Sequence, residues 1–255
     1  MTRQTRDLLR RYADRYERTF PSPDPSEVML DAKGDDNREA TAFVASCLSF
    51  GAIAQFKPKI EQLVAFAGGD IDKWIRSGAF ARTIPDDGSR KFYRFATYSN
   101  LRAFLCAYQR LMRDNRTLGE YVRASGDGTG LGAVKAICAA FAGSGVGCLV
   151  PADASSACKR ICMFLRWMVR RGPSVDIGLW ADFIDRKTLI MPLDTHVIAQ
   201  ARGLGLLSKE SATMSTARKL TAMMAKVFPD DPLRGDFALF GLGREKADGR
   251  TCATA

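Results

Sequence analysis

The chain has 255 residues, 46% hydrophobic and 26% charged, enough for a sizeable core in one large domain or two small ones. No stretch approaches the ~18 uninterrupted apolar residues of a membrane span. The basic N-terminal stretch lacks the apolar core of a secretory signal, so a cytoplasmic protein without a membrane partner is expected. Its 38 basic against 28 acidic side chains leave a net charge of +10, which favours an anionic partner, most commonly nucleic acid.

Leu8, Leu9, Tyr12, Ala13 and Tyr16 share one face of a helix predicted over residues 2–19. Prolines 21, 23 and 25 then break the chain into a loop over residues 20–25. Asp35, Asp36 and Asn37 precede Ala40, Phe43, Val44, Cys47 and Leu48, the pattern of a capped amphipathic helix ending near Gly51. Ile60, Leu63, Val64 and Phe66 give another, stopped by Gly68 and Gly69. Pro85, Asp86, Asp87 and Gly88 form a turn within a polar connection.

Beyond Asn100, a helix carries Leu101, Phe104, Leu105, Tyr108, Leu111 and Met112. Gly126, Gly128, Gly130 and Gly132 mark a flexible loop; no lysine–serine pair follows, which argues against a phosphate-cradling loop. Val134, Ile137, Cys138 and Phe141 open one more helix, and residues 143–147 are the main internal linker. Residues 156–171 read as a four-turn helix with Cys158, Ile161, Cys162, Leu165, Met168 and Val169 buried. Lys159, Arg166 and Arg170 stack on another face, widened by Arg160 and Arg171. Two late helices follow, one through Ala217, Leu220, Met223, Met224 and Val227, the other through Phe237, Leu239 and Phe240. No period-2 strand is apparent. The expected class is all-α.

Cysteines 47, 106, 138, 148, 158, 162 and 252 are odd in number and lack short repeated spacing, which argues against a disulfide framework. Cys158 and Cys162 lie four apart on one helix. However, His196 is the sole histidine and no other cysteine pair has tetrahedral ligand spacing, so buried thiols and no metal are expected.

Pro192 and Asp194 open a helix predicted over residues 195–204, with Gly205 as its stop. Asp194 falls at the N-cap, where backbone amides hold its carboxylate. Upstream, Ser155, Ser156, Ala157, Cys158, Lys159 and Arg160 open the basic helix, so a lysine and an aspartate each occupy or border a first helical turn. A lysine is a nucleophile only as the neutral amine, and the positive end of a helix dipole disfavours the ammonium form. A nearby carboxylate would stabilise positive charge developing on a sugar ring. Each residue also has a plainer role: Lys159 as a solvated surface group, Asp194 as a cap, His196 as a hydrogen-bonded structural group, and Trp167 and Trp180 as core.

Pro192-Leu193-Asp194-Thr195-His196-Val197, followed by Ala201-Arg202-Gly203-Leu204-Gly205-Leu206, resembles the helix-hairpin-helix DNA glycosylases. The archaeal-type 8-oxoguanine enzymes are the nearest characterised comparison. The whole chain is more closely similar to an uncharacterised bacterial family related to that superfamily. The stretches that carry this likeness are Asp36-Asn37-Arg38-Glu39, Leu48-Ser49-Phe50-Gly51, Tyr93-Arg94-Phe95, residues 156–170, Asp176-Ile177-Gly178-Leu179-Trp180 and Asp236-Phe237-Ala238-Leu239-Phe240-Gly241.

The resemblance implies a single glycosylase-like unit over residues 1–255. Its two helical halves would flank a cleft, with candidate subdomains of about 1–50 with 175–255 and about 51–174. It further implies base excision from double-stranded DNA by a monomer, with Lys159 as nucleophile and Asp194 as charge-stabiliser, with or without abasic-site lyase activity. Ser155, Ser156, Arg160, Arg166, Arg170, His196 and Arg202 would bind nucleic acid. Phe50, Gln55 and Trp180 are the candidate base pocket. No cofactor is expected, since the superfamily's four-cysteine iron–sulfur loop is absent after Asp194. Its glycine hairpin is replaced by Leu149-Val150-Pro151-Ala152-Asp153-Ala154-Ser155-Ser156, where the two serines and the helix N-terminus are expected to hold phosphate. Two other readings stay open: a non-catalytic nucleic-acid-binding protein of the same fold, which the missing glycines favour, and an interaction scaffold with incidental basicity.

Overall fold

The computed structural model describes residues 1–19, 26–172 and 175–247; the loop expected at residues 20–25 and Cys252 lie outside them. In chain order the helices are α1 (Arg3–Arg18), α2 (Glu27–Leu30), α3 (Asp35–Leu48), α4 (Ile53–Phe66) and α5 (Ile71–Arg76). A hairpin of β1 (Lys91–Tyr93) and β2 (Ala96–Thr97) leads into α6 (Tyr98–Asn115), α7 (Leu118–Ser125), α8 (Gly130–Phe141) and α9 (Lys159–Val169). The last three are α10 (Thr195–Gly203), α11 (Met214–Ala225) and α12 (Arg234–Ala247). The protein is mostly helical, as its apolar periodicity requires.

Threonine recurs where helices begin. Thr2, Thr97, Thr117, Thr129 and Thr213 each accept a hydrogen bond from an amide of the first turn, satisfying a donor that the helix itself cannot pair. At α6 the cap is reciprocal, with Asn100 Oδ1 accepting from the Thr97 amide at 3.1 Å.

Four local expectations are corrected. The β-hairpin leaves no signal in the sequence, because strands of three and two residues are too short to display a period of two. Gly130 and Gly132 are helical rather than loop. Thr129 caps them, and a Cβ at Gly130 would lie 2.7 Å from the Thr188 carbonyl, so the close approach requires glycine. The amphipathic helix expected after Asp35 is instead buried on nearly every side, and Gly34 stands at its N-cap without a side-chain bond. The basic helix begins at Lys159, three residues later than its expected start, because Ser156 pairs with Thr213 in an isolated bridge.

Phe43 of α3 explains that burial. Its ring lies 5.7 Å from Phe104, 5.2 Å from Tyr108, 5.4 Å from Phe141 and 5.2 Å from Phe164, so α3 is the post around which α6, α8 and α9 pack. The chain ends meet elsewhere: α1 runs along α12, with Arg15 ion-paired to Glu245 at 2.5 Å and Gly241 leaving room for the Tyr16 ring. α10 leans on the same helix. Between α12 and the α3–α9 pair the packing leaves a cavity.

Candidate active site

The cavity has a volume of ≈ 590 Å³. It is walled by the α3–α4 junction (Ser49, Phe50, Gly51, Ile53, Phe56), by the start and one face of α9, by the entry to α10, and by Asp236 and Phe240 of α12. Most of this wall is apolar. Lys159, Arg160, Arg166, Asp194 and Asp236 supply the charged groups, and Ser49, Ser156 and Thr195 are the neutral polar residues of the wall.

Lys159 and Asp194 meet here. Lys159 Nζ stands 3.5 Å from Asp194 Oδ2, with the two side chains 36% and 32% exposed, so the pair is neither sealed in the core nor free in solvent. Asp194 divides its oxygens: Oδ1 accepts from the amides of His196 and Val197, both at 2.9 Å, as the cap of α10. The cap fixes the carboxylate and leaves Oδ2 for the lysine. Both residues lie at helix starts, as their sequence context requires, and the structure brings them together.

At the head of α9, Cys158 holds the N-cap position in the left-handed conformation (φ 45°) without capping an amide. Such a backbone is uncommon outside glycine and stores strain. The segment before it is pinned, since Ala157 donates to the Ala212 carbonyl at 3.2 Å and Met214 donates to the Ser155 carbonyl at 3.2 Å. The Cys158 side chain is buried, with its thiol donating to the Asp153 carbonyl at 3.4 Å and lying 3.5 Å from Ser156 Oγ; its closeness to the Cys138 thiol holds its pKa below the usual cysteine value.

Arg160 is the second cation of the wall. It donates to the carbonyls of Cys47 and Cys148, and its guanidinium lies 4.9 Å from the centre of the Phe50 ring. Burial holds its pKa below the usual arginine value. Its partners are carbonyl dipoles and a ring, and no carboxylate pairs with it among the described residues.

Arg166 and Arg170, expected as phosphate contacts, are corrected. They are 5% and 2% exposed. Arg166 bonds Asp176 at 3.3 Å and Asp236 at 2.6 Å; Arg170 bonds Asp176 at 2.6 Å, Glu17 at 2.5 Å and Asp231 at 2.9 Å. Both guanidiniums also lie over the Phe237 ring, at 4.8 and 4.9 Å. A basic stripe at helical spacing becomes a buried clasp because acids from α1, α12 and the 175–231 region supply the opposite charge. Arg166 still borders the cavity, but as the support of Asp236. Burial raises Asp176 to about 6 and also raises Asp236, against the pull of the arginines.

The remaining expected residues divide. Ser156 and Phe50 line the cavity, whereas Ser155 is exposed and donates its hydroxyl to Asp153 at 2.5 Å. His196 is exposed just outside, and Arg202 donates to the Glu210 carbonyl at 2.6 Å. Gln55 is exposed away from the wall. Trp180 is corrected as a pocket residue: it is 2% exposed and donates to Glu39 at 2.8 Å. Glu39 also accepts from the Gly119 amide at 3.1 Å, and burial raises its carboxyl to about 7.

Sequence reasoning missed Asp236, Cys158 and Phe240 as wall residues. The available signals were an acid opening an otherwise apolar helix and a cysteine immediately before the lysine.

Among the described residues, no group of three or more histidine, cysteine, aspartate or glutamate side chains is disposed to hold a metal ion, and no helix is long and apolar enough to cross a membrane. Comparison with curated proteins and with solved structures finds no match. The profile of the family described as "Protein of unknown function (DUF2400)" matches residues 24–245, and this protein belongs to that family.

Proposed function

We propose that the protein is a DNA glycosylase that excises a flipped-out base and uses Lys159 for covalent catalysis. The observation that carries this is the 3.5 Å approach of Lys159 Nζ to Asp194 Oδ2 at the wall of an apolar cavity. Its ≈ 590 Å³ falls within the range of about 300–1,000 Å³ common for small-molecule pockets, which suits a base and its sugar. An enzyme acting on a base must first take it out of the stack, and the apolar walls would shelter it.

The steps balance on these two side chains. The Lys159 ammonium gives a proton to solvent water, and the neutral amine attacks the anomeric carbon. The glycosidic bond breaks toward the base, which leaves with the electron pair and takes up a proton. Asp194 stabilises the positive charge on the sugar as that bond lengthens. Cleavage of the ring carbon–oxygen bond then gives an iminium to Lys159. Loss of a 2′ proton expels the 3′ phosphate and cuts the strand, and water releases the enzyme.

The apposition of amine and carboxylate supports catalysis over a binding module that kept only the fold. The glycine-free stretch before α9 favours that second reading. Reductive trapping on duplex DNA containing an abasic site or an oxidised purine, with wild type and Lys159→Ala, separates the two. Adduct from wild type alone supports the glycosylase–lyase; salt-sensitive binding without adduct from either supports the binding module.

A further inference from the structure

The β-hairpin has no part in the chemistry above, yet its tip is the most conspicuous surface feature of the molecule. Phe95 is 70% exposed, against 44% for Met1, the next most exposed large apolar side chain among the described residues. Neighbours on the same hairpin point inward: Phe92 is 3%, Tyr93 6% and Ala96 0% exposed. Since Tyr93 pairs with Ala96, the loop is only Arg94 and Phe95, and Arg94 adopts φ 47° where such loops usually carry glycine. A rigid turn thus holds an aromatic ring out in water and keeps a cation 5.6 Å from the centre of that ring.

The tip sits at the rim of the cavity. Tyr93 donates its hydroxyl to the Phe50 carbonyl, and the two rings are 4.8 Å apart. Gly51 (φ +86°) lets the hairpin approach, because a Cβ there would lie 2.7 Å from the Tyr93 hydroxyl and overlap the Arg94 guanidinium. Phe50 and Gly51 both line the cavity. The flank carries cations: Lys59 lies 5.2 Å from the Phe92 ring centre, and Arg90, 4.9 Å from that of Tyr98, is ion-paired to Asp87 at 3.9 Å. Lys91 is exposed beside them, and neither Lys91 nor Arg94 has a carboxylate partner among the described residues.

An exposed aromatic ring on a stiff turn, bordered by cations and next to a base-sized cavity, matches the chemistry of a nucleobase on a phosphate strand. Every base has a face to stack, and phosphates pair with the flanking charges. We infer that Phe95 stacks on the base adjacent to the one taken into the cavity, filling the space it vacates, while Arg94 contacts the strand. This rests on the nucleic-acid reading above and adds a recognition element outside the lysine–aspartate site.

The three native tryptophans, Trp74, Trp167 and Trp180, are buried, so a Phe95→Trp variant carries the one exposed indole among the described residues and reports on this position directly. The probe is a duplex with a tetrahydrofuran abasic analogue, titrated at two salt concentrations with wild type, Phe95→Trp and Phe95→Ala. In the bound complex the emission of the introduced indole is expected to be quenched and shielded from acrylamide. Phe95→Ala is expected to bind about tenfold or more weakly, with Phe95→Trp restoring affinity. Salt-sensitive binding in which the introduced indole stays open to acrylamide and Phe95→Ala is unchanged overturns the stacking role alone. Absence of any binding by wild type overturns it together with the nucleic-acid reading. A shielded indole in the Phe95→Trp complex, without a Lys159 adduct, supports stacking and removes only the glycosylase chemistry.

Discussion

Lys159 and Asp194 lie 35 positions apart in the chain, and their charged atoms meet at 3.5 Å because two helices begin at one wall of a cavity. The other oxygen of Asp194, Oδ1, is committed to the amides of its own helix. One side chain therefore serves as a structural cap and a site carboxylate, and the two roles can be separated by substitution.

Asparagine caps a helix about as well as aspartate but carries no charge. Asp194→Asn is expected to keep thermal stability within about 0.5 kcal/mol of wild type while base release falls about 10²–10³-fold. Asp194→Ala should lose the activity and roughly another 1 kcal/mol of stability through the cap. Denaturant unfolding and single-turnover excision assays measure the two effects. Full excision by Asp194→Asn would confine the residue to capping.

Removing one member of a buried charge network leaves the others short of compensating charge. Arg170→Ala takes one cation from Asp176 and Glu17, which keep Arg166 and Arg234, and takes the guanidinium from Asp231; it is expected to cost about 3 kcal/mol in denaturant unfolding. Because the guanidinium is not on the surface, the slope of log binding constant against log salt should stay at its wild-type value. A slope reduced by about one unit would restore Arg170 as a phosphate contact.

Glu39 makes folding stability depend on pH. Its carboxyl is raised to about 7 by burial, so below the ordinary carboxylate range both folded and unfolded chains hold the proton. As pH rises, the unfolded chain releases its proton first. Stability is then lost up to and through about pH 7, on the order of 3 kcal/mol in all. Asp176, raised to about 6, acts in the same direction. Tm is expected to fall between pH 5 and pH 8, and Glu39→Gln to flatten that fall. The slope is the test, since the two donors point at different carboxylate oxygens, so a glutamine turns its NH2 toward either Trp180 or Gly119 and lowers stability at every pH. An unchanged slope would refute the assignment.

Cys158 offers a probe of the cavity that needs no substrate. Its thiol is held below the usual cysteine pKa but is only 4% exposed on the cavity wall, so its alkylation by iodoacetamide should report how open the cavity is. An abasic-site duplex should protect it. Peptide mapping by mass spectrometry distinguishes it from exposed Cys148. Labelling indifferent to DNA would place the nucleic acid away from this wall.

What the sequence made legible was local. Helix starts at Thr2 and Asp194 could be read because capping uses neighbours two to three residues away. Lys159 and Asp194 could be named because each sits in a recognisable helix-start context, although their meeting depends on α10 packing on α12 and on the Arg166–Asp236 bond that ties α9 to α12. Partnership across the chain was not legible. Arg166 and Arg170 show the same spacing whether they face water or Asp176, and only the fold brings Glu17, Asp231 and Asp236 to them. Trp180 was ambiguous for the same reason: its buried acceptor, Glu39, lies on α3, far away in the chain. The Arg94–Phe95 tip was visible as a motif but not as a strand turn, since five strand residues leave no periodicity to read.

The most direct test is borohydride trapping on a duplex carrying an abasic site, with wild type and Lys159→Ala at matched DNA binding. The account predicts a covalent adduct with wild type, its attachment mapped to Lys159, and none with the variant. An adduct that persists in Lys159→Ala, or none from wild type despite tight salt-sensitive binding, would contradict the role assigned to this lysine.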